Sequence, residues 1–413
     1  MSGIYFSSFS ERVDPQIPCN VAGYGEQSKN ALELMEPLEV NGFTIADSES
    51  VLSIVQIDTL YASNEIRDEI ELRVGHQVQL VASHTHGAPL IDQSKAKLGV
   101  FDAVYRDFVI QKIVTALQRN DRIENPLFFV SRGSSDVGIF RRKKAFGIFR
   151  DFPFIAKKIG LLPHRDVKID QAITCFYIFQ ESKLRTVLWH FACHPVTSSS
   201  GNVVSSDFPG FVRDEIRKTH GNDVAVLYLP GASGDIRPCF TRSASQTPWK
   251  QRLRFPLEKE HFVHPDRQDM ENFRNRLGRS VSECYDKRSQ FFFEKIEFKR
   301  EKFRVSLLRE TDGRNVEIPI SRLKCFGGYS LVFVGAEVSS QYQILSEKLV
   351  SGPMLFCGYA DDVFGYLPTE RQFIEGGYEG TGFIPMFGLK GSFGKGFSDR
   401  FIQRIKEMVD GVE

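Results

Sequence analysis

Apolar runs with strand character recur along the chain: "VLSIVQI" at 51–57, "VQLVAS" at 78–83, "PLFFVS" at 126–131, "ITCFYIF" at 173–179, "TVLWHFA" at 186–192, "VAVLYLP" at 224–230, "YSLVFVG" at 329–335 and "MLFCGYA" at 354–360. Several are continuous rather than alternating, the pattern of strands covered on both faces. Helical patterns lie between them. Residues 101–119 place Val104, Phe108, Ile113 and Leu117 near one face. "SSDFPGFVRDEIRKTHG" opens on an N-cap candidate, Ser206 or Asp207, and stops at Gly221. Residues 266–288 and 338–350 are two further helix candidates. The alternation predicts an α/β architecture of mixed β-sheets flanked by helices. We read it as one large domain spanning 1–413, with a division near residue 290 as the competing reading. No internal repeat is visible. The polar, Pro-punctuated stretch 239–265 reads as a surface excursion or lid.

Composition narrows the classes. At 41% hydrophobic and 25% charged over 413 residues, the chain is of ordinary globular type with room for a sizeable core. Its 53 basic and 52 acidic residues leave a net charge of +1, which argues against nucleic acid as a partner. The basic runs "RRKK" at 141–144 and "KREKFR" at 299–304 read as solvated faces or edge strands. No apolar stretch of about 18 residues is present, so no membrane span is expected. The N-terminus lacks the basic-then-apolar pattern of a signal peptide. Seven scattered cysteines with no C-x-x-C pair fit a reducing compartment, and the expected location is cytoplasmic. Cys175, Cys193 and Cys357 sit inside apolar runs and are expected in the core. The abundance of phenylalanine, 36 residues against 2 tryptophans, has no account at this level.

The residues with chemical potential share one position: each follows a buried-looking strand. His84 and His86 follow "VQLVAS", His190 and His194 lie in "LWHFACHP", Asp235 follows "VAVLYLPGASG", Glu337 follows "YSLVFVGA", and Tyr366 comes soon after "MLFCGYA". Carboxyl ends of strands are where α/β sheets build their sites. On an extended backbone, H-x-H points both imidazoles one way, with Cβ atoms roughly 6.5–7 Å apart. Both can then address one centre, as two ligands or as one ligand plus an acid/base. The plainer reading is a pair of hydrogen-bonded structural imidazoles. A second histidine-rich strand end shifts the balance towards metal. Glu337 is either a carboxylate partner for those histidines or a first-turn glutamate favoured by a helix dipole. There is no HExxH, P-loop, G-x-G-x-x-G or G-x-S-x-G motif.

Six short segments, in order from residue 21 to about 383, together resemble the neutral (non-lysosomal) ceramidase family, zinc-dependent amidases that hydrolyse the N-acyl bond of ceramide. "VAGYG" at 21–25 resembles the family's early "MAGYG"-like turn, and "SHTHGAP" its "THTHSGP". "WHFACHPVTSSSGNVVSSDFPG" resembles "NWFAVHPVSM…NSDN.G", "GASGDIRP" resembles "G-D-x-S-P", and "FVGAEVSS" resembles "PGEFT". "YADDVFGYLPTERQFIEGGYEGTG" is similar to the family's tyrosine-rich stretch. The resemblance implies that His84, His194, Glu337 and Tyr366 bind one zinc ion (Zn2+), with His86 as the adjacent or catalytic histidine. It implies that Tyr378 hydrogen-bonds the reacting carbonyl and that Arg141, with Arg142 a near competitor, contacts substrate. Asp235 and Asp207 are expected to accept from ligand imidazoles; their plainer readings are a turn residue and a helix N-cap. Three positions depart from the family pattern: Arg237 replaces the serine of "G-D-x-S-P", His190 an asparagine and Val363 a tyrosine. The family's secretion signal and C-terminal β-sandwich domain are not expected here. The expected function is zinc-dependent hydrolysis, by metal-activated water, of the amide bond of a small-molecule or lipid-like N-acyl substrate. Arg237 points to a substrate that differs from ceramide and is anionic or soluble. The competing reading is a catalytically silent or non-amidase metal-binding homologue that serves as a binding protein in a biosynthetic pathway.

Overall fold

One connection occurs three times. A two-strand hairpin runs into a short polar segment, then a helix, then a third strand parallel to the second. The first unit is Glu39–Ala46, Val51–Ile57, helix Asn64–Val74 and Gln77–Ala82. The second is Ala172–Gln180, Lys183–Phe191, helix Asp207–His220 and Ala225–Pro230. The third is Asn315–Phe326, Tyr329–Val334, helix Ser340–Ser346 and Met354–Cys357. The recurrence is one of strand pairing and not of residue identity, which is why no repeat shows in the sequence. These elements belong to a computed structural model that describes residues 4–25, 29–119, 121–122, 125–149, 152–198, 202–293 and 295–411. Antiparallel strands extend each sheet: Tyr5–Arg12 in the first, Pro126–Ser134 and Ser289–Phe291 in the second, Glu297–Arg309 and Lys390–Gly391 in the third.

The middle strand of each unit is apolar on both faces because both are buried. Leu52 and Ile54, Leu188, and Leu331 and Phe333 point into one core that all three sheets share. The residues between them along the strands turn the other way, since strand side chains alternate. Val55 and Ile57 pack with helices Asn64–Val74 and Ala103–Leu117. Val187 and Trp189 pack with helices Asp207–His220 and Arg267–Asp286. Val332 and Val334 pack with helix Phe397–Asp410. The shared core explains much of the phenylalanine: Phe6, Phe43, Phe128, Phe176 and Phe326 fill the space between the three sheets. Their rings meet at centroid distances of 5.3 Å for Phe6–Phe43 and for Phe176–Phe326, within the range of favourable ring contacts.

All the apolar runs form strands, and Cys175, Cys193 and Cys357 are buried. Two expectations are corrected. Helix Ala103–Leu117 buries Tyr105, Val109, Ile110 and Ile113, while Val104 is 82% exposed and Phe108 40%. The Tyr105 hydroxyl donates to the Val13 carbonyl at 2.7 Å, and Tyr105, Val109, Ile110, Ile113 and Val114 pack into the core on that face. "RRKK" is not a solvated face at its start: Arg141 and Arg142 are buried against Glu379, where the hairpin Arg142–Phe149 and Phe152–Leu161 begins. The stretch 239–265 carries structure of its own, with Thr241–Ser243 paired to Glu260–Phe262 around helix Trp249–Arg254. No helix among the described residues is long and apolar enough to cross a membrane.

Arg213 locks the second unit's helix to the first sheet. Its guanidinium is buried and donates to Asp58 at 2.7 Å and to the Pro37 carbonyl at 2.9 Å. Removing it strands the buried Asp58 carboxylate without a counter-charge. Arg213→Ala is expected to lower stability by about 3–5 kcal/mol, read as a fall in the urea unfolding midpoint.

Candidate metal centre

The segments that leave the parallel strands converge. The first unit brings Tyr61 after Val51–Ile57, and His84 and His86 after Gln77–Ala82. The second brings His194 after Lys183–Phe191, and Ser233 and Asp235 after Ala225–Pro230. The third brings Glu337 after Tyr329–Val334 and Tyr359 after Met354–Cys357. Tyr366 lies opposite Glu337 in a two-residue parallel pairing.

At the meeting point, Glu337 Oε2 lies 3.1 Å from His194 Nε2 and 3.7 Å from His84 Nε2, and all three side chains are buried. One ligand atom from each of the three lies within 4.8 Å of the others. Backbone carbonyls orient both rings. His84 Nδ1 donates to Leu60 O at 3.1 Å, and His194 Nδ1 donates to Ser233 O at 2.8 Å. Each Nε2 therefore turns its lone pair towards Glu337. The Tyr61 hydroxyl donates to Glu337 Oε1, leaving Oε2 for the cluster. His84 (φ 63°) and Tyr359 (φ 56°) both adopt left-handed backbone, at a cost on the order of 1–3 kcal/mol each. Their rings stack at 4.1 Å.

Burial pushes His84 and His194 well below the ordinary histidine range. The neighbouring His86 adds to this at both rings, and Arg141 adds to it at His194. Burial lowers His86 as well. These imidazoles are neutral at pH 7. Three buried atoms here, His84 Nε2, His86 Nε2 and Glu337 Oε2, have no hydrogen-bond partner among the described residues. Lone pairs aimed at one another in a dry interior repel and go unsatisfied. A divalent cation among them resolves both problems, and two neutral imidazoles with one carboxylate form a common donor set for such an ion. The cluster fits a metal.

A second layer holds the first. Asp235 accepts from Ser339 Oγ at 2.6 Å, Ser340 N at 2.9 Å and Gln372 Nε2 at 2.7 Å, tying the segment after Glu337 to helix Glu370–Glu375. Arg141 donates to the Tyr366 hydroxyl at 3.1 Å, to Gly234 O at 2.7 Å and to Glu379 at 2.7 Å. Tyr378 meets the Tyr366 ring edge-on at 5.2 Å, and burial next to Glu337 pushes its hydroxyl up to about 12. His86 packs against Tyr24 at 5.8 Å and against Gly23, where any Cβ would overlap the imidazole.

Among solved structures, the whole chain superimposes on 75% of neutral ceramidase from Pseudomonas aeruginosa, with a TM-score of 0.71. It superimposes on 75% of a ceramidase complexed with C2 with a TM-score of 0.72, at 13% identity in both cases. The chain has a neutral ceramidase-like fold. No protein-family model and no curated protein matches the sequence.

Within the neutral ceramidase-like fold, His84, His194 and Glu337 come together, with His86, Tyr366, Tyr378 and Arg141 around them. The H-x-H geometry differs from that expected: the strand ends at Ala82, and the left-handed turn at His84, not an extended backbone, sets the two rings 5.1 Å apart. Asp207 and Asp235 do not accept from the ligand imidazoles, because the Leu60 and Ser233 carbonyls occupy that role. Asp207 instead binds Thr197 N at 2.8 Å, Thr197 Oγ1 at 2.7 Å and Ser198 N at 2.9 Å, fixing the loop beyond His194. His190 lies inside a strand and donates through Nε2 to the Phe356 carbonyl at 2.8 Å, away from the cluster. Arg237 stacks on Phe262 at 4.5 Å. Arg142 turns to Glu379 and to the carbonyls of Gln372 and Gly376.

Sequence reasoning missed Tyr61, Tyr359 and Glu379. The two tyrosines follow strand ends, so the positional rule that singled out the histidines applies to "VLSIVQIDTLY" and "MLFCGY" as well. The Leu60 and Ser233 carbonyls leave no signal, because any residue supplies one.

Tyr61→Phe removes the donor to Glu337 and is expected to weaken metal affinity by about 10–100-fold, measured by competition with a chromogenic chelator. A pH dependence follows from the depressed histidines. Below about pH 6.5 the unfolded chain takes up protons that the folded chain refuses, so acid favours unfolding. In excess chelator, the unfolding free energy from urea titrations is expected to fall between pH 7 and pH 5.5, by about 1 kcal/mol per pH unit for each such histidine.

Proposed function

We propose that the chain is a zinc-dependent hydrolase that cleaves the amide bond of an N-acyl substrate. One observation carries the reading: a buried His84–His194–Glu337 cluster with unsatisfied, mutually facing lone pairs, set in a neutral ceramidase-like fold. Tyr366 completes the ligand set. It stands in register with Glu337, and the Arg141 guanidinium offsets part of the burial that disfavours its phenolate. When bound, zinc supplies Lewis acidity that activates water and polarises the amide carbonyl.

The chain's own residues do the rest. Tyr378, kept protonated by its raised pKa, donates to the carbonyl oxygen as negative charge develops there. His86 is neutral, and its Nε2 accepts the proton released on attack and returns it to the leaving amine. Arg141, anchored by Glu379, orients Tyr366 and sets positive charge beside the reacting carbonyl.

Metal analysis of purified protein is expected to find about one zinc per chain, and Glu337→Ala and His194→Ala are expected to lose it. Full zinc in both variants would overturn the ligand assignment. Amine release from N-acyl amines, acyl amino acids and N-acetyl sugars should be sensitive to chelator for at least one class. Zinc binding without any such hydrolysis would leave the silent metal-binding protein as the correct reading.

A further inference from the structure

Arg237 is half-buried and differs from the buried arginines. Arg67, Arg141, Arg142 and Arg213 each face a carboxylate within 3.1 Å. No carboxylate among the described residues pairs with Arg237, although its buried Nε lacks a hydrogen-bond partner just as those of Arg142 and Arg213 do. Burial and the nearby Arg141 push its guanidinium down to about 10. Such an isolated charge is costly in a low-dielectric setting. Phe262, whose ring lies 4.5 Å beneath the guanidinium, covers one face and leaves the donor edges free.

Those edges border a cavity of about 210 Å³. Arg254, Phe255, Phe262 and His264 also line it, and its lining includes no carboxylate. The walls come from the end of the strand Phe152–Leu161 and from the 239–265 excursion, so that excursion builds a basic chamber. One short strand links the chamber to the segment that carries His194. Arg237 lies in the strand Ile236–Pro238, whose Ile236 carbonyl accepts the His194 backbone N–H at 3.3 Å. Asp235 O, two residues before Arg237, accepts the Arg141 N–H at 2.9 Å. Two guanidiniums in one lining that holds no carboxylate favour a planar or tetrahedral oxoanion over a sugar or an alkyl chain.

We propose that this chamber is the subsite for an oxoanionic group of the substrate, a carboxylate, sulfonate or phosphate, bound by Arg237 and Arg254. This rests on the amidase reading: the substrate class becomes N-acyl compounds that carry a negative charge on one half.

The test compares three amides of similar chain length. N-dodecanoylglycine carries the anion on the amine half, N-glutaryl-dodecylamine carries it on the acyl half, and N-dodecanoylethanolamine is neutral. One of the two anionic amides is expected to exceed the neutral one in kcat/KM by about tenfold or more. That ratio is expected to fall by about 10–100-fold in Arg237→Gln and by a smaller factor in Arg254→Gln, with Arg237→Lys retaining part of it. A wild type with no preference for either anionic amide overturns the proposal, as does an unchanged ratio in Arg237→Gln. Should Arg237→Gln fail to fold by circular dichroism, the exposed Arg254 decides, and an unchanged ratio in Arg254→Gln overturns it. Calorimetric binding of the two anionic amides to wild type and Arg237→Gln separates the two readings. Arg237-dependent binding without turnover keeps the subsite and removes the amidase. Turnover without charge preference does the reverse.

Discussion

The structure is organised around one buried carboxylate that faces two unprotonated imidazoles. Left to itself, Glu337 Oε2 among the Nε2 atoms of His84 and His194 is an arrangement of lone pairs with nothing between them to attract. The surrounding atoms prevent its escape. Carbonyls of Leu60 and Ser233 hold the far nitrogens, and Tyr61 holds the far carboxylate oxygen. Each brace removes the proton or the rotation by which the cluster could relax. A site so constrained suits a cation, because its donor atoms are oriented and desolvated in advance.

Three repeats of one connection make this convergence possible. A parallel crossover places the carboxyl ends of two adjacent strands side by side, with polar segments emerging from both. Three such units packed around a shared phenylalanine core bring these segments to one place. Each unit contributes at least one side chain to the cluster, so no unit holds the site alone. The same arrangement explains the apolar run-on of the middle strands, which must serve the shared core on one face and a helix layer on the other.

At 13% identity the chain shares the fold of the two solved ceramidase structures. Glu379 neutralises Arg141 and Arg142 on one side, but on the other Arg237 has no counter-charge among the described residues. The stretch 239–265, which read as a lid, forms part of the wall on that side.

The sequence by itself determined the eight apolar strands, the α/β class and the segment ends that carry His84, His194 and Glu337, because burial on both faces and polarity at strand ends are local properties written in residue type. It also carried enough short motifs to resemble the neutral ceramidases. It misjudged what depends on neighbours distant along the chain. The buried face of the helix Ala103–Leu117 is set by tertiary packing, including the hydrogen bond from Tyr105 to Val13 across 92 residues. The role of His190 turns on a carbonyl in another sheet, and the burial of Arg141 and Arg142 on Glu379. The true partners of the ligand imidazoles are backbone atoms, which every residue possesses and no sequence marks. Only the tertiary structure decides which carbonyl meets which ring, and with it which histidine can present a free nitrogen to a metal.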